Sequence, residues 1–168
     1  MDRRAAEAQC RMLVRRVAPN ARIYFPRRPL GRAIATGTSW NGRHLRPTGA
    51  TLESQLHEVA HLLLAAPHRL HEVEFGLGPD PYRRYDVPRT IPEAEADLEE
   101  LHTCWLQLLL THLLELDVEA VRYEYELSPL TLEMIATLEQ TYPGALPEPW
   151  WERGRRLLED EPAQSSER

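Results

Sequence analysis

The sequence predicts an α+β fold: a single helix-dominated domain with a small sheet. Three observations carry that expectation. Apolar residues recur at helical spacing over residues 3–17, 52–66 and 93 to about 115. Two short runs, Ala21 to Phe25 and Ala33 to Trp40, read as strands, the first ended by Pro26 and the second followed by Asn41-Gly42. A chain of 168 residues, 42% hydrophobic and 27% charged, has the size and composition of one soluble globular domain with a real core. We take residues 1–161 as that domain and 162–168 as a frayed tail.

Taken in order, Ala5, Cys10, Leu13, Val14 and Val17 stripe the first helix, and Pro19-Asn20 stops it. The strand 21–25 follows. Asn41-Gly42 is a hairpin-type turn leading into Arg43-His44-Leu45. Thr51 caps the helix 52–66, and Pro67 ends it. Residues 67–90 carry Gly76, Gly78, Pro79, Pro81 and Pro88 and read as a long loop. Loops longer than ~15 residues in a compact domain are usually functional or disordered, and this one directly follows the second helix, so a functional role is expected. Thr90 and Glu93 have capping-box spacing ahead of the third helix, whose apolar stripe is Ala94, Leu98, Leu101, Trp105, Leu108 and His112. Val121, Tyr123 and Tyr125 alternate with charges as in a short strand or extended connector. Ser128 caps a helix to about Tyr142, and Trp150 to Glu161 forms a last one.

Composition narrows the chemistry. No apolar run reaches the ~18 residues of a membrane span, and the N-terminus has no apolar signal core. Cys10 and Cys104 are isolated, which fits reduced thiols in the cytoplasm. All 20 basic residues are arginine, so a lysine nucleophile or Schiff base is excluded. Charge is uneven. Residues 1–50 hold 11 arginines against Asp2 and Glu7, a net +9, whereas 51–168 hold 9 arginines against 24 carboxylates, a net −15. The basic third, with Arg27, Arg28 and Arg32, is expected to face an acidic macromolecule. It lacks interleaved aromatics, which argues against a single-strand stacking platform.

His57-Glu58-Val59-Ala60-His61 carries the functional argument. On a helix, residues i and i+4 share a face with Cβ atoms ~6 Å apart, so two imidazoles can converge on one metal ion. Glu58 is placed to act as a general base on a water at the metal. Leu56, Val59, Ala60, Leu62 and Leu63 bury the helix and keep the ion dry.

A third ligand is needed. His68 and His71 follow the helix-ending proline and fit a surface or supporting role better than ligation. The acidic start of the third helix offers Glu95 first, then Asp97, then Glu93. Glu95 is followed by alanine and has Glu99 four residues on, as in zinc peptidases of the thermolysin class, and it lies two turns before His102 on the same side. Glu93 competes for the capping box. Acidic residues also favour a helix N-terminus through the macrodipole alone. The expected site is His57, His61 and Glu95 as ligands with Glu58 as catalytic residue. Two histidines and one carboxylate suit Zn²⁺ hydrolysis or Fe²⁺ oxygenase chemistry.

Further residues extend the pattern. Leu56 to His61, then Ala66-Pro67-His68-Arg69, Glu74-Phe75-Gly76 and Pro79-Asp80, together resemble the core of the elongation factor P hydroxylase family. Glu93 to Trp105 resembles that family's acidic segment leading into a Trp-bearing helix, and Met134 to Leu138 with Tyr142 its C-terminal helix. The likeness is strongest over 56–105. This chain departs from it at Gly76-Leu77-Gly78, where the family has an aromatic-rich step, and at Pro81, where the family has glycine. The resemblance implies a small sheet packed by helices with the metal helix central, an Fe²⁺-dependent hydroxylase and a protein substrate. The expectation is therefore a cytoplasmic hydroxylase acting on a protein side chain. The alternatives are a zinc metallopeptidase of thermolysin type and a structural metal site in an interaction module.

Overall fold

The computed structural model describes residues 2–25, 39–47, 51–78, 87–117 and 121. The sequence-predicted features at Ala33 to Thr38, at Arg27, Arg28 and Arg32, at Pro79-Asp80 and beyond Val121, including the last helices and the tail 162–168, lie outside these residues.

Among the described residues, three helices dominate an α+β domain with a small sheet, as expected. Helix α1 spans Arg3–Val17, β1 Arg22–Ile23, β2 His44–Leu45, α2 Leu52–Leu64 and α3 Glu93–Leu113. Asp2 caps α1 by accepting a hydrogen bond from the Ala5 amide at 2.9 Å. Ala6, Cys10, Leu13 and Val14 form its buried face. Thr51 caps α2 through the Ser54 amide at 3.1 Å, and α2 stops at Leu64, short of Pro67.

Helix α2 lies between α1 and α3 and is the centre of the core. Ten of its 13 residues are buried, so it is covered on nearly every side rather than along one stripe. Leu56, Val59, Ala60, Leu62 and Leu63 are fully buried, and each large apolar side chain buried this way contributes roughly 1.5–3 kcal/mol.

The sheet is small. β1 and β2 run parallel, with Arg22 opposite His44 and Ile23 opposite Leu45. The Asn41-Gly42 turn forms as the sequence suggests and folds the chain back, so Trp40 bridges Leu45 in antiparallel fashion. Gly42 sits at φ 83°, and a Cβ there would lie 2.6 Å from the His71 carbonyl oxygen, so only glycine fits.

Two expectations for α3 are corrected. The first is the capping box. The helix begins at Glu93, which leaves Thr90 outside the first turn. The Thr90 hydroxyl donates instead to the Glu72 carboxylate, and Glu93 pairs with Arg89 at 3.0 Å. The second is the buried stripe. Ala94 and Leu98 are exposed, and Leu101, Trp105 and Leu108 are only half-buried. The buried face is Ala96, Glu99, Thr103, Leu106, Gln107 and Leu110. At about 100° per residue it is turned roughly half a revolution from the leucine stripe.

Candidate metal centre

α2 presents His57 and His61 one turn apart, and α3 crosses them with Glu100. The Nε2 atoms of the two imidazoles are 3.1 Å apart. Glu100 lies 3.0 Å from His57 Nε2 through one oxygen and 3.1 Å from His61 Nε2 through the other. All three ligand atoms fall within 4.8 Å of one another. Two nitrogens held ~2.0–2.1 Å from one tetrahedral ion would be ~3.3 Å apart, so the cluster has the dimensions of a metal site.

The opposite ring nitrogens are engaged. His57 Nδ1 is 3.1 Å from Gln107 Oε1, and Gln107 Nε2 donates to the Glu53 carbonyl at 3.0 Å. A carbonyl only accepts, so the amide orientation is fixed and Oε1 faces the imidazole. With a metal bound, His57 would therefore keep its proton on Nδ1 and offer the Nε2 lone pair. His61 Nδ1 meets the Thr103 hydroxyl at 3.1 Å. Partners of this kind set the tautomer and orientation of ligating histidines. The residues present thus fit a divalent transition metal. The His61 side chain is 7% exposed, that of His57 24% and that of Glu100 36%, so the cluster opens to solvent on the His57–Glu100 side.

Electrostatics follow the geometry. Burial pulls the His57 imidazole down, but the carboxylates of Glu100 and Glu58 and the bond to Gln107 prevail, raising it to about 9. Burial acts on Glu100 in the opposite sense, yet the two imidazoles hold its carboxyl well below the usual range. Glu58 is buried beside His57, 3% exposed.

A strained knuckle backs the site. Glu74, Phe75 and Gly76 all have positive φ, at 47°, 56° and 76°. For the two non-glycine residues this costs about 1–2 kcal/mol each. The conformation is held from three sides. Glu74 accepts from the amide and hydroxyl of Ser39. The Glu74 amide donates to the Trp40 carbonyl at 3.0 Å. Arg69 donates to the Phe75 carbonyl at 2.7 Å. The result is a continuous stack: Trp40 lies on Phe75 at 5.5 Å, and Phe75 lies on His61 at 5.9 Å. Arg69 also pairs with Glu99, and both are buried. Burial pushes the Glu99 carboxyl above its usual range, against the pull of Arg69.

The expected residues divide accordingly. His57 and His61 come together, with Glu58 buried next to them. Glu95 does not join them. It is exposed on α3, as are Asp97 and Glu93. Five residues separate Glu95 from Glu100, about 140° around the helix and ~7.5 Å along it, so α3 cannot present both to the histidines. His68 and His71 are exposed in the 67–76 segment. His102 is buried, and burial lowers its pKa to about 4. Glu100, Thr103, Gln107 and Arg69 were not anticipated. Their signal is a polar line, Glu100, Thr103 and Gln107, at helical spacing within a helix otherwise rich in leucine. Comparison of the chain with protein-family models, with curated proteins and with solved structures found no match.

Proposed function

We propose that this chain is a metal-dependent enzyme whose divalent ion is held by His57, His61 and Glu100, and that it is a hydroxylase acting on a protein side chain. The observation that carries the metal reading is the pair of imidazoles whose Nδ1 atoms are engaged and whose Nε2 atoms converge on one carboxylate. Among the described residues the group has three ligands and an exposed edge, as in catalytic sites rather than closed structural ones.

Fe²⁺ bound there would supply the redox chemistry of O₂-dependent hydroxylation, and Zn²⁺ would supply Lewis-acid chemistry for hydrolysis. The hydroxylase reading is favoured because His57, His61, Arg69 and Phe75, which are among the residues that resemble the elongation factor P hydroxylases, lie in or against the cluster. Arg69 fixes Phe75, and Phe75 covers His61. The stack with Trp40 excludes water behind His61. Thr103 and Gln107 orient the two rings, and the open His57–Glu100 side is the approach for substrate. Glu58 supports the second reading, a zinc metallopeptidase, because a buried carboxylate next to His57 can take a proton from water and pass it to a leaving amine.

The two readings separate on metal and oxidant. Protein purified without added metal or chelator is analysed for iron and zinc, and O₂ consumption is followed with candidate protein substrates. Iron dependence, O₂ uptake and inhibition by Zn²⁺ are expected. Full activity of a zinc-loaded, iron-free preparation under anaerobic conditions would leave the peptidase standing. Glu58→Gln adds a second discriminant. It should cost a peptidase most of the ~10²–10⁴-fold due to general-base catalysis and cost a hydroxylase less, with metal retained in both.

A further inference from the structure

The metal cluster leaves the sheet without a role. In β1 and β2 successive side chains alternate between faces. Ile23 and Leu45 turn inward, Leu45 fully buried and Ile23 packed on the core. Arg22, Tyr24, His44 and Arg46 therefore share the outward face. Arg22, Tyr24 and Arg46 are exposed and His44 is half-buried. The Tyr24 and His44 rings are 5.9 Å apart, tilted by 51°. The Asn41 side chain accepts from the amides of Arg43 and His44 at 3.2 and 2.8 Å, which fixes the start of β2.

Among the described residues, Arg22, Arg43 and Arg46 have no carboxylate partner. Arginines with a carboxylate close by do pair: Arg3 and Arg11 share Glu7, Arg69 has Glu99 and Arg89 has Glu93. Sequence explains the difference. From Ala8 to Leu52 there are nine arginines and not one carboxylate, in a chain of net charge −6. Among the described residues, the sheet face thus carries a positive field that no carboxylate offsets.

We propose that the outward face of the sheet, Arg22, Tyr24, His44 and Arg46 with Arg43 at its edge, docks an acidic protein segment that presents Asp and Glu side chains. Guanidinium forks take carboxylates bidentately, and Tyr and Arg are the residues that anchor protein interfaces. A single nucleic-acid strand is less well matched, because it wants successive flat stacking faces, and here the two rings are tilted and one is half-covered. The proposal does not depend on which metal is bound or on catalysis. The strand β2 that carries His44 is bridged through the Leu45 backbone to Trp40, whose ring heads the stack over Phe75 and His61.

The test uses the full chain, a fluorescent synthetic Asp/Glu-rich peptide and a thymidine oligonucleotide of equal length. Anisotropy should show that the peptide binds more tightly than the oligonucleotide. That binding should weaken steeply from about 0.05 to about 0.5 M salt, as exposed charges are screened. Arg22→Glu or Arg46→Glu should each weaken it at least about fivefold. Arg4→Glu, an equal charge change near the start of α1, should change it less than about twofold. His57→Ala should leave it intact, which separates this surface from the metal reading. Thermal melts confirm that each variant is folded. Peptide binding that ignores Arg22→Glu and Arg46→Glu, or that falls equally with Arg4→Glu, would overturn the proposal. So would tighter binding of the oligonucleotide through the same arginines.

Discussion

Helices α2 and α3 both build the candidate metal centre, but they do so by different means. α2 supplies His57 and His61 from one face of one helix, four residues apart, so their convergence needs only that α2 be helical. α3 supplies Glu100, Thr103 and Gln107 across an interhelical contact, so their role depends on how α3 is rotated against α2. The first half of the site is local chemistry and the second half is packing. Variants of the two helices should therefore fail in different ways.

The largest effect belongs to the ligands. His57→Ala or His61→Ala should abolish stoichiometric metal binding, read as metal content per chain. Next is the clamp between the 67–76 segment and α3. Removing one member of a buried ion pair costs about 3–5 kcal/mol. Arg69→Ala should thus lower stability by that order in chemical denaturation and loosen the strained knuckle over His61. An Arg69→Ala variant of unchanged stability would remove this segment from the account of how α3 is held.

The orienting residues come third. Thr103→Val and Gln107→Leu should each weaken metal binding by roughly 10–100-fold, as loss of such partners typically does, while changing stability less than Arg69→Ala does. Equal affinity in the wild type and both variants would mean that the Nδ1 contacts do not preorganise the rings.

The comparison also explains what could be read from the sequence. His57, Glu58 and His61 were legible because their spacing is fixed within one helix, the end of α1 because Pro19-Asn20 stops it, and the start of α2 because Thr51 caps it. Glu100 was not. The leucines at 98, 101 and 108 outline an apolar stripe on α3, and that stripe put the interface on the wrong side. The side facing α2 is studded with Glu99, Thr103 and Gln107, since metal-site partners replace apolar residues there. Arg69 and Glu99 were hidden for the same reason: a buried ion pair looks, in sequence, like two surface charges. The strained Glu74-Phe75 step gives no local warning either, because neither residue favours positive φ.

A smaller effect is set by protons in the metal-free protein. His57 is raised from 6.5 to about 9, so its stabilising contribution is complete below 6.5 and is lost as pH rises through 9. Glu100 is lowered below 4.5, so its contribution is present above 4.5 and is lost as pH falls through its depressed value. Metal-free protein should therefore lose stability between pH 6.5 and 9, and Glu100→Gln should flatten that slope. An unchanged slope in Glu100→Gln would break the link between the two helices. The smallest effect is expected at the exposed carboxylates. Glu95→Gln and Asp97→Asn should change stability by no more than about 0.5 kcal/mol, as surface substitutions do.

The central claim is that α3 completes the metal site with Glu100. The most direct measurement is metal content per chain for the wild type, Glu100→Gln and Glu95→Gln, purified identically, with a melt to show that each is folded. One ion per chain in the wild type and in Glu95→Gln, with loss in Glu100→Gln, is the predicted result. Full occupancy in Glu100→Gln together with loss in Glu95→Gln would contradict it.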